Sequence, residues 1–122
     1  KALIAVGSGA GADQAVGMAT EFTALTNPYD PGFDGTMQVS LTYDGAPRAD
    51  AQVEVFDRAP DDSVTISLHR TDTEGLAEIP VTPGHAYLFD AVTLREAADA
   101  GETENAPVWE TLWAALTFEV PQ

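Results

Sequence analysis

Two histidines and twenty acidic side chains are the groups in this sequence with the clearest capacity for chemistry. Imidazole and carboxylate groups bind divalent cations and transfer protons. The carboxylates include close pairs, such as Asp61 with Asp62 and Asp72 with Glu74. In a chain with a formal net charge of −15, such pairs arise by chance and do not indicate acid–base catalysis. No stretch has the ligand spacing of an EF-hand calcium loop.

The sequence contains no recognisable activated nucleophile. Cysteine is absent, which excludes a thiolate nucleophile and a Cys-based zinc site. The four serines lack a nucleophile-elbow context, and neither histidine has an evident Ser and Asp partner. The serines are Ser8, Ser40, Ser63 and Ser67. We therefore predict that the chain is not an enzyme.

A glycine-rich stretch near the start of the chain imitates a nucleotide-binding motif. Residues 2–6 form an apolar, strand-like run, and residues 7–12 then read G-x-G-x-x-A. A pyrophosphate site at such a motif requires a helix immediately after it. The stretch that follows does not have the pattern of a helix: it contains Gly17, Thr20 and Phe22, and it is interrupted at Asn27-Pro28. We therefore predict a flexible loop and no nucleotide cofactor.

Apolar residues at every second position, interrupted by turn residues, are the main structural signal. Met37, Val39 and Leu41 alternate with polar residues, and Val64, Ile66 and Leu68 do the same. In the last strand the side chains expected to point inward are Ala114, Leu116, Phe118 and Val120. The other predicted strands are residues 2–6, 19–25, 52–55, 76–79 and 85–94, the last with a bulge near Asp90.

Short strands separated by Gly, Pro and Asp turns, without an amphipathic helix, are typical of a β-sandwich. We predict a single all-β domain over residues 1–122, an antiparallel immunoglobulin-like or prealbumin-like β-sandwich of seven to eight strands. Residues 1–17 would be a junction strand and a Gly-rich loop, and residues 95–107 a long exposed acidic loop. If strands 64–70, 76–79 and 85–94 form a meander, His69 and His85 lie at opposite ends and do not share a metal.

Charge and aromatic residues restrict the partners of this domain. Five basic residues against twenty acidic ones make nucleic acid an improbable ligand, because phosphate contacts need Lys and Arg. No apolar run is long enough to span a bilayer. Of the two tryptophans, Trp109 and Trp113, we expect one in the core and one in an exposed patch for a partner.

Several stretches, taken in order, resemble one family. They are residues 1–7, residues 21–29, the hairpin in residues 39–53 with its Asp-Gly-Ala-Pro turn, the Thr-Asp-Thr-Glu-Gly turn at 71–75, and the strand at 116–118. This order resembles the C-terminal domain of the NikM-like nickel/cobalt-uptake-associated periplasmic family, a bacterial domain of unknown function. The hairpin and the turn also occur in prealbumin-like and carboxypeptidase-regulatory-like sandwiches.

The resemblance implies a C-terminal domain of a longer exported protein, periplasmic or secreted. It implies a non-catalytic binding or accessory module associated with nickel or cobalt uptake, whose partner is a membrane transporter component or another periplasmic protein. If the chain binds a divalent cation, whether nickel, cobalt or calcium, the expected ligands are His69, Asp72 and Glu74. The alternative is a structural or adhesive spacer that contacts another protein through Trp109 and Trp113.

Overall fold

Eight β-strands and no helix make up the regular structure of this chain in the computed structural model, which describes all residues from 1 to 122. The strands are β1 (Thr20–Ala24), β2 (Thr36–Tyr43), β3 (Ala46–Pro47), β4 (Gln52–Arg58), β5 (Val64–Arg70), β6 (Leu76–Pro80), β7 (Ala86–Glu96) and β8 (Trp109–Glu119). They form two four-stranded sheets with antiparallel pairing. The predicted all-β antiparallel sandwich is therefore confirmed.

The first sheet is built on β2, which pairs with β1 on one side and with β3 and β6 on the other. The second sheet has the order β5-β4-β7-β8. The predicted meander of the strands now named β5, β6 and β7 does not form, because β6 pairs with β2 in the opposite sheet. The Pro-containing turn at 82–84 carries the chain back to the second sheet. There β5 and β7 lie on either side of β4.

The core lies between the inner faces of the two sheets. Met37, Val39 and Leu41 of β2 are fully buried and face Val53 and Val55 of β4, at most 2% exposed. Burial of each such side chain contributes about 1.5–3 kcal/mol. The last strand behaves as its alternation predicts: three of its residues and the residue just after it are buried, namely Ala114, Leu116, Phe118 and Val120. Phe118 packs edge-on against Phe89 with ring centroids 5.1 Å apart.

Strand β5 turns its apolar side away from the core. Val64, Ile66 and Leu68 are 56%, 53% and 62% exposed. Residues directly opposite each other in an antiparallel pair lie on the same face. Buried Val55 is opposite Ser67, whereas Ile66 is opposite Phe56. The polar side of β5 therefore lies on the inner face of the sheet, but Thr65 and Ser67 are also exposed, so β5 adds no side chain to the core.

The register of β7 is continuous. It pairs with β8 without interruption from Ala86 opposite Glu119 to Glu96 opposite Trp109, so the predicted bulge near Asp90 is absent. β7 has apolar residues on both faces because the outer face of the second sheet, like its inner face, is largely apolar.

The N-terminal segment closes one edge of the sandwich. Leu3 N–H donates to Thr117 O at 2.9 Å, and Thr117 N–H donates to Lys1 O at 3.0 Å. The predicted strand 2–6 is thus reduced to a parallel bridge at Ala2. No helix follows the Gly-rich stretch; instead Asn27 Nδ2 donates to Gly9 O at 2.8 Å. Gly9 has φ +69°, and an added Cβ would lie 2.8 Å from Tyr29 Cβ, so this close approach needs glycine.

Glu21 is a buried carboxylate, 2% exposed, that holds the N-terminal segment against β1. Its oxygens accept the N–H groups of Val16 at 2.7 Å and Gly17 at 3.0 Å, and the Lys1 ammonium lies 2.7 Å away. Burial acts to raise the pKa of Glu21, but the Lys1 ammonium and the two N–H groups together lower the pKa from 4.5 to about 2. The ionised form is therefore the one that the fold stabilises.

We expect Glu21→Gln to lower the free energy of unfolding at pH 7 by about 3 kcal/mol, the energy equivalent of this pKa shift. Because the folded-state pKa lies below the unfolded value, this stabilisation is complete above about pH 4.5 and is lost as the pH falls towards 2. Urea unfolding between pH 2 and 7 measures it. Glu102→Gln, in an exposed loop, is the control. An equal loss at pH 2 and pH 7 would contradict the assignment.

The structure contains no helix of the length and hydrophobicity needed to cross a bilayer.

Candidate functional site

The outer face of the second sheet is apolar over most of its width. Facing pairs place Val92 opposite Trp113 and Leu94 opposite Thr111. We use the name outer apolar face for Phe56, Val64, Ile66, Leu68, Leu88, Val92, Leu94, Trp109 and Trp113. Clusters of exposed large apolar side chains on one face of a soluble protein mark interaction sites.

Both tryptophans lie on this face. Trp109 is 60% and Trp113 is 64% exposed, so neither belongs to the core, and the prediction that one of them is buried is wrong. The reason is side-chain alternation on β8, which places both tryptophans on the side opposite to the buried Ala114 and Leu116. The pairing of β4 with β7 ends at Glu54 and Asp90, whereas β7 and β8 continue as a two-stranded ribbon to Trp109. Trp113 Nε1–H donates to Thr111 Oγ1 at 3.3 Å, which confirms that these residues share one face.

A shallow apolar trough of about 550 Å³ lies at the other end of the same face. Ile4 borders it beside β8, Val64 borders it at β5, and Phe56 and Leu88 are among its lining residues. This volume lies in the range of ordinary ligand pockets, roughly 300–1,000 Å³. The outer apolar face therefore has an open end with two indole rings and a concave end.

A small polar pocket of about 100 Å³ interrupts the face at Asp90, which lies directly opposite Glu54. Asp90 is 7% exposed, and its Oδ1 has no hydrogen-bond partner. Burial and the facing Glu54 carboxylate raise the pKa of Asp90 above its ordinary value. Arg48 lines the same pocket, but its Nη2–H donates to Val92 O at 2.8 Å and its Nη1 is unpaired.

His85 belongs to a hydrogen-bonded cluster that the sequence did not reveal. Its Nδ1 lies 2.7 Å from Asp57 Oδ1, and Tyr87 Oη–H donates to Asp57 Oδ2 at 3.1 Å. Thr82 N–H in turn donates to Tyr87 Oη at 2.8 Å. The cluster ties the turn before β7 to β4. Asp57 and His85 are far apart in sequence, and only strand pairing brings them together.

The three predicted metal ligands lie at one end of the sandwich, near the turn after β5. His69 Nε2 is 3.1 Å from Ser67 Oγ, and Asp72 Oδ1 accepts the N–H groups of Glu74 and Leu76 at 2.8 and 2.9 Å. Nowhere in the structure do three or more His, Cys, Asp or Glu side chains form a group arranged to hold a metal ion. Metal binding through His69, Asp72 and Glu74 stays a prediction.

The two histidines lie near opposite ends of β4, as predicted. His69 is opposite Val53, whereas His85 contacts Asp57. Four strand residues separate these contacts by about 13 Å. That distance excludes a shared mononuclear site, whose ligands lie about 2 Å from the metal.

Calorimetric titration with nickel, cobalt and calcium tests the predicted ligands. If they bind, His69→Ala should weaken nickel binding by at least about tenfold, because imidazole is the one nitrogen ligand in the set. Glu102→Gln, in an exposed loop, should bind the metal like the parent chain. Absence of binding heat from the parent chain at millimolar metal would overturn the prediction.

Asp90→Asn should raise the free energy of unfolding at pH 7 by roughly 1 kcal/mol, because it removes a charge that burial and Glu54 both oppose. A raised folded-state pKa means that the parent chain gains stability as the pH falls through that pKa, and Asp90→Asn should lack this gain. Thermal unfolding across pH 3–7 measures both effects, with the exposed Asp99→Asn as the control. A destabilised Asp90→Asn at pH 7 would show instead that the carboxylate is a needed acceptor.

Comparison with protein families matches residues 1–95 to a domain of unknown function, DUF4198. No curated protein and no solved structure matches the chain. The match runs from the N-terminal segment through β1–β6 and most of β7, and it stops before the acidic loop and β8. It agrees with the resemblance described above at the level of a domain of unknown function. Since the match covers more than half of the residues, this chain belongs to the DUF4198 family.

Proposed function

We propose that this chain is a non-catalytic binding module that docks a protein partner through the outer apolar face. The exposure of Trp109, Trp113 and Leu94, each at least 60%, carries the proposal. Tryptophan is strongly enriched among residues that dominate binding energy at protein interfaces. The hydrogen bonds between β7 and β8 hold the backbone that carries both indole rings, so little backbone entropy is lost when a partner covers them.

Charge defines the chemistry of the partner. The loop between β7 and β8 carries Asp99, Glu102 and Glu104 and no basic residue, and it joins β8 at Trp109. An apolar centre with an acidic border complements a surface that is apolar in the middle and basic around it. The net charge of −15 would also accelerate the approach of such a partner at low salt. We therefore propose a basic-rimmed protein surface as the occupant.

The cellular setting is part of the same proposal. We place the chain outside the cytoplasm, in the periplasm or secreted, on the strength of its resemblance to the nickel/cobalt-uptake-associated family. In that setting the partner is a transporter component or another periplasmic protein. The accessory role in metal uptake requires only the docking surface, because the transporter would bind the metal itself.

Docking through Trp109 and Trp113 on the outer apolar face can be tested with a photo-crosslinking amino acid in place of Leu94. The crosslinker is introduced into the parent chain and into the double variant Trp109→Ala/Trp113→Ala. We expect one discrete protein adduct that the double substitution reduces by about thirtyfold or more, since Trp hot spots contribute about 2 kcal/mol or more. The adduct should also weaken as salt rises, because its rim contacts are ionic.

A crosslinker at Gln38, exposed on the outer face of the first sheet, is the matched control. The same adducts from Leu94 and Gln38, or an adduct unaffected by the double substitution, would overturn the proposal. A crosslinked protein whose surface is acidic would contradict the proposed charge complementarity.

A further inference from the structure

The free edge of β5 carries unpaired backbone groups. β5 is the last strand of its sheet. At one end of its pairing with β4, Thr71 N–H donates to Ala51 O at 2.9 Å, and at the other end Ala59 N–H donates to Ser63 O, also at 2.9 Å. Antiparallel pairing alternates, so Thr65, Ser67 and His69 bond to β4. The N–H and C=O groups of Val64, Ile66, Leu68 and Arg70 therefore point to the open side.

Other edges of the sandwich are partly protected. Residues 1–3 cover β8 through bonds to Ala115 and Thr117, whereas its Trp109–Ala114 part belongs to the ribbon with β7 and is left open. On β1, Asp13 Oδ2 accepts the Ala24 N–H at 2.9 Å, and β6 is short and ends at Pro80. Lysine, proline and covering segments are the usual means of blocking strand pairing at an edge. Residues 64–68 of β5 have none of them and present three exposed apolar side chains instead.

We propose that β5 pairs antiparallel with β5 of a second copy of this chain, across a twofold axis at Ile66. In this register Ile66 faces its own symmetry mate and Val64 faces Leu68 of the other copy. Apolar residues then meet on one face, which favours the pair, and about six backbone hydrogen bonds form. The two second sheets become one eight-stranded sheet.

Charge favours a second copy over an unrelated strand. Asp61 and Asp62 precede β5 and Arg70 ends it. The twofold register brings the turn with Asp62 of each copy to Arg70 of the other, at both ends of the contact. Within each chain Arg70 pairs with Asp50 at 2.7 Å, and Arg58 of the neighbouring β4 lies 3.7 Å from Asp62, so the contact would join these residues into a group of alternating charges at each end. Elsewhere two copies with net charge −15 repel each other.

Sedimentation equilibrium of the parent chain, from micromolar to millimolar concentration, should show a monomer–dimer equilibrium. Ile66→Lys places two like charges opposite each other across the axis, and we expect it to raise the dimer dissociation constant by about tenfold or more. Ile66→Pro should act similarly, because the N–H that it removes faces the open side and not β4. Ile66→Val is the matched control and should dimerise like the parent chain.

Charge substitutions test the register without changing the apolar row. Arg70→Asp should weaken the dimer, whereas Asp50→Asn, which removes the partner of Arg70 within its own chain, should leave the dimer in place. Circular dichroism and thermal unfolding of each variant separate loss of pairing from loss of fold. A parent chain that is monomeric at millimolar concentration overturns the proposal. So does a dimer that survives both Ile66 substitutions.

The edge contact and the tryptophan end of the outer apolar face can be tested separately. Trp109→Ala/Trp113→Ala should leave the dimer dissociation constant unchanged, and Arg70→Asp, which lies outside the outer apolar face, should leave the Leu94 crosslink in place. A dimer that the tryptophan substitutions abolish would mean that the second copy occupies the ribbon and not the edge. Recovery of Ile66-dependent crosslinks to a different protein, from a monomeric chain, would assign the edge to an extended segment of that protein.

Discussion

Side-chain alternation on β4 is the constraint from which most of this structure follows. β4 is paired on both sides, with β5 and with β7. Val53 and Val55 must face the other sheet to close the core, so Phe56 must face outward. Because facing residues share a side, Ile66 and Leu88 are then directed outward with Phe56. One residue of slippage would exchange the two faces and expose the core, which is why the outer apolar face is as firmly specified as the core itself.

The N-terminal segment protects the edge of β1 and part of the edge of β8. Lys1 reaches the buried Glu21, and Leu3 bonds to β8, so a single segment contacts both sheets. A buried carboxylate is costly unless it is fully bonded. Here the backbone N–H groups of residues 16–18 and the Lys1 ammonium satisfy it. This contact is weakened in acid, because it requires the ionised carboxylate of Glu21.

Two features of the second sheet are left without such protection, and both bear on function. The ribbon of β7 and β8 extends beyond β4 and presents the two tryptophans on its outer face. The edge of β5 presents backbone groups together with an apolar row. A flat surface of side chains suits a globular partner, whereas an open edge suits another strand. The two features thus have different occupants, even though they lie on one sheet.

The sequence alone was sufficient to predict strands, turns and the sandwich class, because alternation and turn chemistry are local properties. It also located the inward residues of β2 and β8, where one side is plainly polar. It did not determine the placement of β6 in the opposite sheet, nor that the apolar side of β5 lies on the outer face. It missed the pairing of His85 with Asp57. Each of these depends on which strands become neighbours and where their pairing ends, and that is decided by contacts between residues distant in sequence.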